Sequence, residues 1–127
     1  MEAKTVRVVP HDPTWAAQFD VEQSCLVALL PDCICNVHHI GSTSVPDLAA
    51  TPIIDILLEG RSLEVLDANA SKLGKFGYVA HGEYGLPRRR FFTKGGVTRT
   101  HHVQNDFVNR AEIAALKWHA GQRQRNY

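Results

Sequence analysis

The sequence predicts an α+β domain whose helices pack on one mixed or mostly antiparallel sheet, and three observations carry that expectation. Residues 52–58, Pro-Ile-Ile-Asp-Ile-Leu-Leu, are apolar on both faces but for one acid, the pattern of a central strand covered on two sides. Two stretches, Pro13 to Leu30 and Ser62 to Gly74, repeat apolar residues at a period near 3.6. The second half then holds three short strand candidates, two of them joined across Gly95-Gly96, which suits a tight hairpin. Strands and helices in runs, rather than in strict βαβ alternation, indicate α+β.

Taken in order, Val6-Arg7-Val8-Val9 alternates like a short strand. Asp12-Pro13 then supplies an N-cap and a first-turn proline for a helix that buries Trp15, Phe19, Leu26, Leu29 and Leu30. Val37 to Ile40 reads as a strand running into Gly41-Ser42-Thr43-Ser44, and Pro46 opens one helical turn through Leu48-Ala49-Ala50. After the strand at 52–58, Ser62 caps a second helix carrying Leu63, Leu66, Ala70 and Leu73, which ends near Gly74 or Gly77. Strands follow at Tyr78 to His81, Arg89 to Thr93 and Thr98 to Gln104. Asn109 with Glu112 resembles a capping box and starts a last helix with Ile113, Leu116 and Ala120 on its apolar face. No repeat, low-complexity tract or linker interrupts the 127 residues, so residues 1–127 read as one domain.

No window approaches the roughly 18 consecutive apolar residues needed to span a bilayer, and the first residues lack the apolar core of a signal peptide. A cytoplasmic protein without membrane contact is expected. Cys25, Cys33 and Cys35 are odd in number and too few for a structural zinc site, so they read as reduced thiols. The net charge of +1 hides a division: residues 1–67 carry 10 acids and 3 bases, residues 68–127 carry 3 acids and 11 bases. Arg88, Arg89, Arg90, Lys94 and Arg99 follow one another with no acid between. Either an anionic partner or internal pairing with the acidic half accounts for such a block. Binding of nucleic acid is the less favoured partner.

The stretch from His38 to Asp55 carries the most chemistry. A strand that ends in Gly41-Ser42, followed by Thr43 and Ser44, places backbone amides and three hydroxyls around one point, a natural anion site. Asp55 interrupts an otherwise apolar strand and must therefore meet a cation, a salt-bridge partner or water in a cleft. His39 and His102 could join Asp55 around a metal or act as a general base. Arg90 and Arg99 are the basic candidates for an anionic ligand.

Those residues resemble the GrpB family, small proteins with a nucleotidyltransferase-like fold and no established activity. The likeness is specific at His39-Ile40-Gly41-Ser42-Thr43-Ser44-Val45-Pro46 and at Thr51 to Ile56. It continues at Gly77-Tyr78, Arg90-Phe91-Phe92 and Arg99-Thr100-His101-His102-Val103, and so covers most of the chain. The resemblance implies a scaffold in which a Gly-Ser turn holds a nucleotide triphosphate and carboxylates on the next strand hold Mg²⁺ or Mn²⁺. Related domains occur fused to dephospho-CoA kinase, where a supporting role is implied.

Departures from the family pattern shape the functional expectation. Asp47 replaces a usual glycine, Thr51 a usual lysine and Gln104 a third histidine, and the segment before the last helix is shortened. Two-metal chemistry needs metals about 3.5–4 Å apart and converging acids. Two positions after Asp55 stands Leu57, and Glu59 lies about 13 Å along the strand at about 3.3 Å per residue. Standard nucleotidyl transfer is not expected. The expected role is binding of a nucleotide, a small phosphorylated ligand or a protein partner at Gly41–Ser44, Asp55, Arg90, Arg99 and His102. The alternative is a divergent metal-dependent phosphotransferase or nucleotidyltransferase using Asp55 with His102 or His39. A homodimer through Phe107, Ile113, Leu116 and Trp118 is also expected, since shortening would uncover apolar area.

Overall fold

The computed structural model describes residues 7–60, 62–85 and 87–106. Its elements run α1 (Thr14–Leu29), β1 (Ile34–Ile40), a 3₁₀ turn at Ser42–Ser44, β2 (Ile54–Gly60), α2 (Leu63–Lys75), β3 (Val79–Ala80), β4 (Phe91–Lys94) and β5 (His101–Asp106). The strands form one five-stranded sheet in the order β1-β2-β5-β4-β3. β2 pairs antiparallel with β1 and parallel with β5, while β4 is antiparallel to both β5 and β3. The mixed α+β sheet is the expected one.

Local chemistry explains most boundaries. Asp12 Oδ1 accepts from both the backbone N–H (2.8 Å) and the hydroxyl (2.7 Å) of Thr14, which starts α1 one residue later than proline alone suggests. Ser62 caps α2 by accepting from Val65 N–H at 3.1 Å. β2 begins at Ile54 and extends to Gly60, and it sits in the interior of the sheet as its unbroken apolar run requires. The Gly95 and Gly96 φ values of +100° and +63° make the β4–β5 connection possible.

Three expectations shift. Of the strand expected at 6–9, the described residues 7–9 form a single bridge, Val9 with Ala50, and Ala50 is thereby part of extended pairing, not of a helical turn. The helical turn lies earlier, at Ser42–Ser44. β1 starts at Ile34 rather than Val37, since Ile34 and Asn36 already pair with Gly60 and Glu59 of β2 across a bulge. The expected last helix and the homodimer residues Phe107, Ile113, Leu116 and Trp118 lie outside the described residues.

Strand alternation divides the sheet into two faces. Val37, Ile54, Ile56, Leu58, Phe92 and Val103 join Trp15, Phe19, Leu26 and Leu73 in the main core beneath the helices. Ile40 and Leu57 form a separate buried pair on the other face. Within the main core Glu22 of α1 is only 5% exposed. Its carboxylate accepts from the Tyr78 hydroxyl and the Lys94 ammonium, both at 2.5 Å, and lies 3.7 Å from His101 Nε2. Lys94 also stands 4.2 Å from the Phe76 ring centroid. Burial and the neighbouring carboxylate push the Tyr78 phenol well above its ordinary range, and burial holds the His101 imidazole below the usual value. This cluster fastens α1 to β4, β5 and the end of α2.

Candidate functional site

The second face of the sheet gathers the residues that matter. In register, Ile40 of β1 lies opposite Asp55 of β2, Asp55 lies beside His102 of β5, and His102 lies opposite Thr93 of β4. Asp55 is half-buried, with about a third of its side chain (34%) exposed, and its Oδ1 lies 3.2 Å from His102 Nδ1. The other ring nitrogen of His102, Nε2, is buried and has no hydrogen-bond partner among the described residues.

Gly41 closes the other side of Asp55. Its φ of +74° and ψ of −172° lie in a region that essentially only glycine adopts, and a Cβ built there would stand 2.5 Å from Asp55 Oδ2. The sequence therefore needs glycine at this position twice over: for the sharp exit from β1 and for contact with the carboxylate. The turn that follows is held from within. Ser44 Oγ donates to Gly41 O at 2.5 Å. Thr43, buried, donates its hydroxyl proton to Ile53 O at 3.0 Å, so it must accept from His39 Nε2–H, also at 3.0 Å. Ser42 is the turn hydroxyl that forms no hydrogen bond among the described residues.

A cavity of about 210 Å³ opens at this place, lined by Ile40, Gly41, Asp55, Ile56, Phe91, His102 and Gln104. The structure thus brings Gly41, Asp55 and His102 together, with Ser42 on the adjoining turn. It corrects two other expectations. His39 points to the helix face, where its ring stacks on Phe19 at 4.8 Å, and so it cannot share a metal with Asp55. Arg90 also points away: its Nε and Nη2 reach Asp67 of α2 at 2.8 and 3.1 Å. Arg99 lies in the loop that leads into β5. Thr43 and Ser44 shape the turn with their side chains rather than offering their hydroxyl protons to a ligand.

Arg89, not Arg90, touches the wall of the cleft, at Gln104 and Phe91. Its guanidinium donates to Tyr84 O (2.6 Å), Glu83 O (3.2 Å) and Gln104 Oε1 (3.3 Å), and lies 5.3 Å from the Phe91 ring centroid. Strand parity could have found it, since Arg88 and Arg90 share one face and Arg89 takes the other. Glu22 was missed as well, although it occupies the slot between Phe19 and Leu26 on the apolar stripe of α1, where an acid must find a partner. Part of the charge division is internal pairing: Lys94 holds Glu22 and Arg90 holds Asp67, each a base of the second half on an acid of the first.

Among the described residues no group of three or more His, Cys, Asp or Glu side chains could hold a metal ion. The two potential ligands that face one another here, Asp55 and His102 at 3.2 Å, fall short of such a group, so a resident metal does not fit this donor set. No described helix is long and apolar enough to cross a membrane.

Comparison with known proteins agrees with these features. The family profile described as "GrpB protein" matches residues 5–119. The UPF0157 protein YqkA of Bacillus subtilis is 43% identical over 100 residues, covering 79% of this chain and 29% of that protein. The glutamate-rich protein GrpB of Alkalihalophilus pseudofirmus is 31% identical over 114 residues, covering 82% and 66% respectively. A dephospho-CoA kinase of Mycobacterium tuberculosis is 39% identical over 75 residues, which cover 57% of this chain and 18% of the kinase. The crystal structure of GrpB from Enterococcus faecalis superposes with a TM-score of 0.77 at 43% identity, over 84% of this chain and 66% of that one. The chain thus spans less than a third of YqkA and about two thirds of the A. pseudofirmus protein. Asp47 has a left-handed φ of +64°, a conformation that suits the glycine the family resemblance leads one to expect there. With the profile spanning nearly its whole length, the chain belongs to the GrpB family.

Proposed function

We propose that the cleft beside Gly41, Ser42, Asp55 and His102 binds a nucleotide or small phosphorylated ligand as its magnesium or manganese salt, without standard nucleotidyl transfer. The observation that supports this reading is the half-exposed Asp55 carboxylate, set in an otherwise apolar strand and packed against a glycine that admits no side chain. The cation follows from charge. A bare phosphate 4 Å from Asp55 would meet about 4 kcal/mol of repulsion at an effective dielectric of 20. Magnesium is commonly held by one or two carboxylates together with substrate phosphates and water, so one carboxylate suffices when the phosphates arrive with the ion. The nucleotidyltransferase-like scaffold that the family resemblance implies is consistent with this placement. Transfer is not part of the reading, because no second acid converges on Asp55 among the described residues.

A thermal-shift series tests it. Mg²⁺ alone should leave the midpoint unchanged, whereas a nucleoside triphosphate with Mg²⁺ should raise it, as any ligand of the native state must. No shift with any phosphorylated compound would reject the reading. A second reading, a divergent metal-dependent phosphotransferase or nucleotidyltransferase using Asp55, draws on the 3.2 Å approach of His102 to Asp55, which sets an imidazole beside the carboxylate in the cleft. Turnover of the Mg²⁺–nucleotide that vanishes in Asp55→Asn would select it over simple binding.

A further inference from the structure

We infer that Arg89 is a phosphate-binding residue at the Gln104 end of the cleft, so that the ligand carries a second phosphate apart from the one held with the ion at Asp55. The inference rests on the binding reading above and deepens it by making the ligand a doubly phosphorylated one. The Arg89 guanidinium touches two of the residues that line the cavity. Its Nη1 donates to Gln104 Oε1 at 3.3 Å, and the group lies 5.3 Å from the Phe91 ring centroid. From the loop before β4, Glu83 O accepts from Nε at 3.2 Å and Tyr84 O from Nη2 at 2.6 Å. Every one of these partners is a neutral oxygen. A guanidinium has five N–H groups, so one on Nη1 and one on Nη2 are left for a ligand.

Charge separates Arg89 from its neighbours. Arg90 and Lys94 of the same basic block each meet a carboxylate, of Asp67 and Glu22 respectively. Among the described residues no carboxylate lies within ion-pair distance of Arg89. Glu83 turns its carboxylate to the Arg88 N–H at 2.9 Å and meets Arg89 through its backbone oxygen alone. A half-buried guanidinium without a counter-charge is a strong, directional donor to an anion. It is also ordered beforehand, by three oxygens and by the Tyr84 and Phe91 rings at 5.8 and 5.3 Å, so an arriving phosphate need not immobilise it. Distance then constrains the ligand. Gln104 stands two residues beyond His102, the β5 partner of Asp55; at about 3.3 Å per residue and about 4.8 Å between strands, it leaves the sheet about 8 Å from Asp55. Arg89 lies one hydrogen bond further. A body of several bonds must therefore part the two phosphates, as in a bisphosphorylated sugar or a nucleoside phosphorylated on two hydroxyls.

Amide NMR of the full chain with inorganic phosphate, in chelator and at constant ionic strength, tests the Arg89 end without the ion. Asp55 repels bare phosphate, so saturable shifts should gather at residues 83–85, 88–91 and 104 and spare 41–44 and 54–56. Arg89→Gln should weaken this binding at least tenfold, the size expected of hydrogen bonds to a charged group. Arg89→Lys keeps the charge without the fork and should fall between the two, which covers the case that Arg89→Gln disturbs the loop. No saturable shift around Arg89 in the unaltered chain, or equal affinity in both variants, refutes the subsite and leaves the binding reading standing. Mg²⁺–pyrophosphate is then added to the phosphate-saturated chain. Shifts at 41–44 and 54–56, with those around Arg89 retained, are expected of two phosphate places in one cleft. Displacement of phosphate from Arg89 by the pyrophosphate would refute the second place. If Mg²⁺–pyrophosphate leaves 41–44 and 54–56 unmoved, the binding reading fails, and the doubly phosphorylated ligand fails with it.

Discussion

Replacing Gly41 with alanine should damage both the fold and the site, by two separable routes. The first is backbone strain: a residue with a side chain forced to φ +74°, ψ −172° costs about 1–3 kcal/mol. The second is overpacking, since the new methyl would sit 2.5 Å from Asp55 Oδ2 and 3.1 Å from Asp55 Cβ, and forcing extra volume into a packed place costs about 1–3 kcal/mol more. A loss of several kcal/mol is a large share of the roughly 5–15 kcal/mol typical of a domain. Urea unfolding followed by circular dichroism measures it, and a double-mutant cycle apportions it. Asp55→Ala removes the oxygen at 2.5 Å but not the dihedral strain, so Gly41→Ala should cost less in that background by about 1 kcal/mol or more. Equal costs in both backgrounds would show that Gly41 does not press on Asp55. A Gly41→Ala protein within 0.5 kcal/mol of the unaltered chain would refute the geometry altogether.

Three further outcomes follow from the pairings. Lys94→Met should destabilise the protein by about 3–5 kcal/mol, because it leaves the buried Glu22 carboxylate with only the Tyr78 hydroxyl and a distant His101; chemical denaturation reads this. Arg90→Ala should cost no more than about 1 kcal/mol, as its pair with Asp67 is partly exposed, and should leave nucleotide binding unchanged; a tenfold loss of affinity would put Arg90 back at the cleft. Burial holds the folded His101 imidazole below its usual value near 6.5, so the unfolded chain takes up this proton first as pH falls. Stability from this group is therefore present above about 6.5 and lost as pH drops through the lower folded value. Unfolding free energies between pH 7.5 and 5 should fall, and should fall less in His101→Gln.

Much of the fold was legible because its signals are local or periodic. The apolar run at 52–58 could only be an interior strand, Ser62 announced α2, and the paired glycines marked the β4–β5 hairpin. Asp55 and Gly41 were legible as a site for a related reason, since an acid in such a strand and a glycine at a strand exit are each costly or empty choices unless they meet something. What the sequence could not show is which side chains the sheet sends to which face. His39 and His102 looked equivalent along the chain, yet one stacks on Phe19 beneath α1 while the other lies 3.2 Å from Asp55. Register decides that, and register comes from long-range pairing of β1 with β2 and of β2 with β5. The internal pairs of the basic block were hidden for a different reason: Glu22, the partner of Lys94, and Asp67, the partner of Arg90, lie on α1 and α2, remote in sequence, and only packing discloses them.

Two-dimensional amide NMR of the full chain, titrated first with Mg²⁺ alone and then with Mg²⁺–nucleoside triphosphate, tests the central claim most directly. Binding in the cleft predicts little change with the ion alone. On adding the nucleotide, shifts should concentrate at residues 41–44, 54–56 and 101–104, and Asp55→Asn should abolish them. Shifts absent throughout, or confined to surfaces away from Gly41, Asp55 and His102, would contradict it.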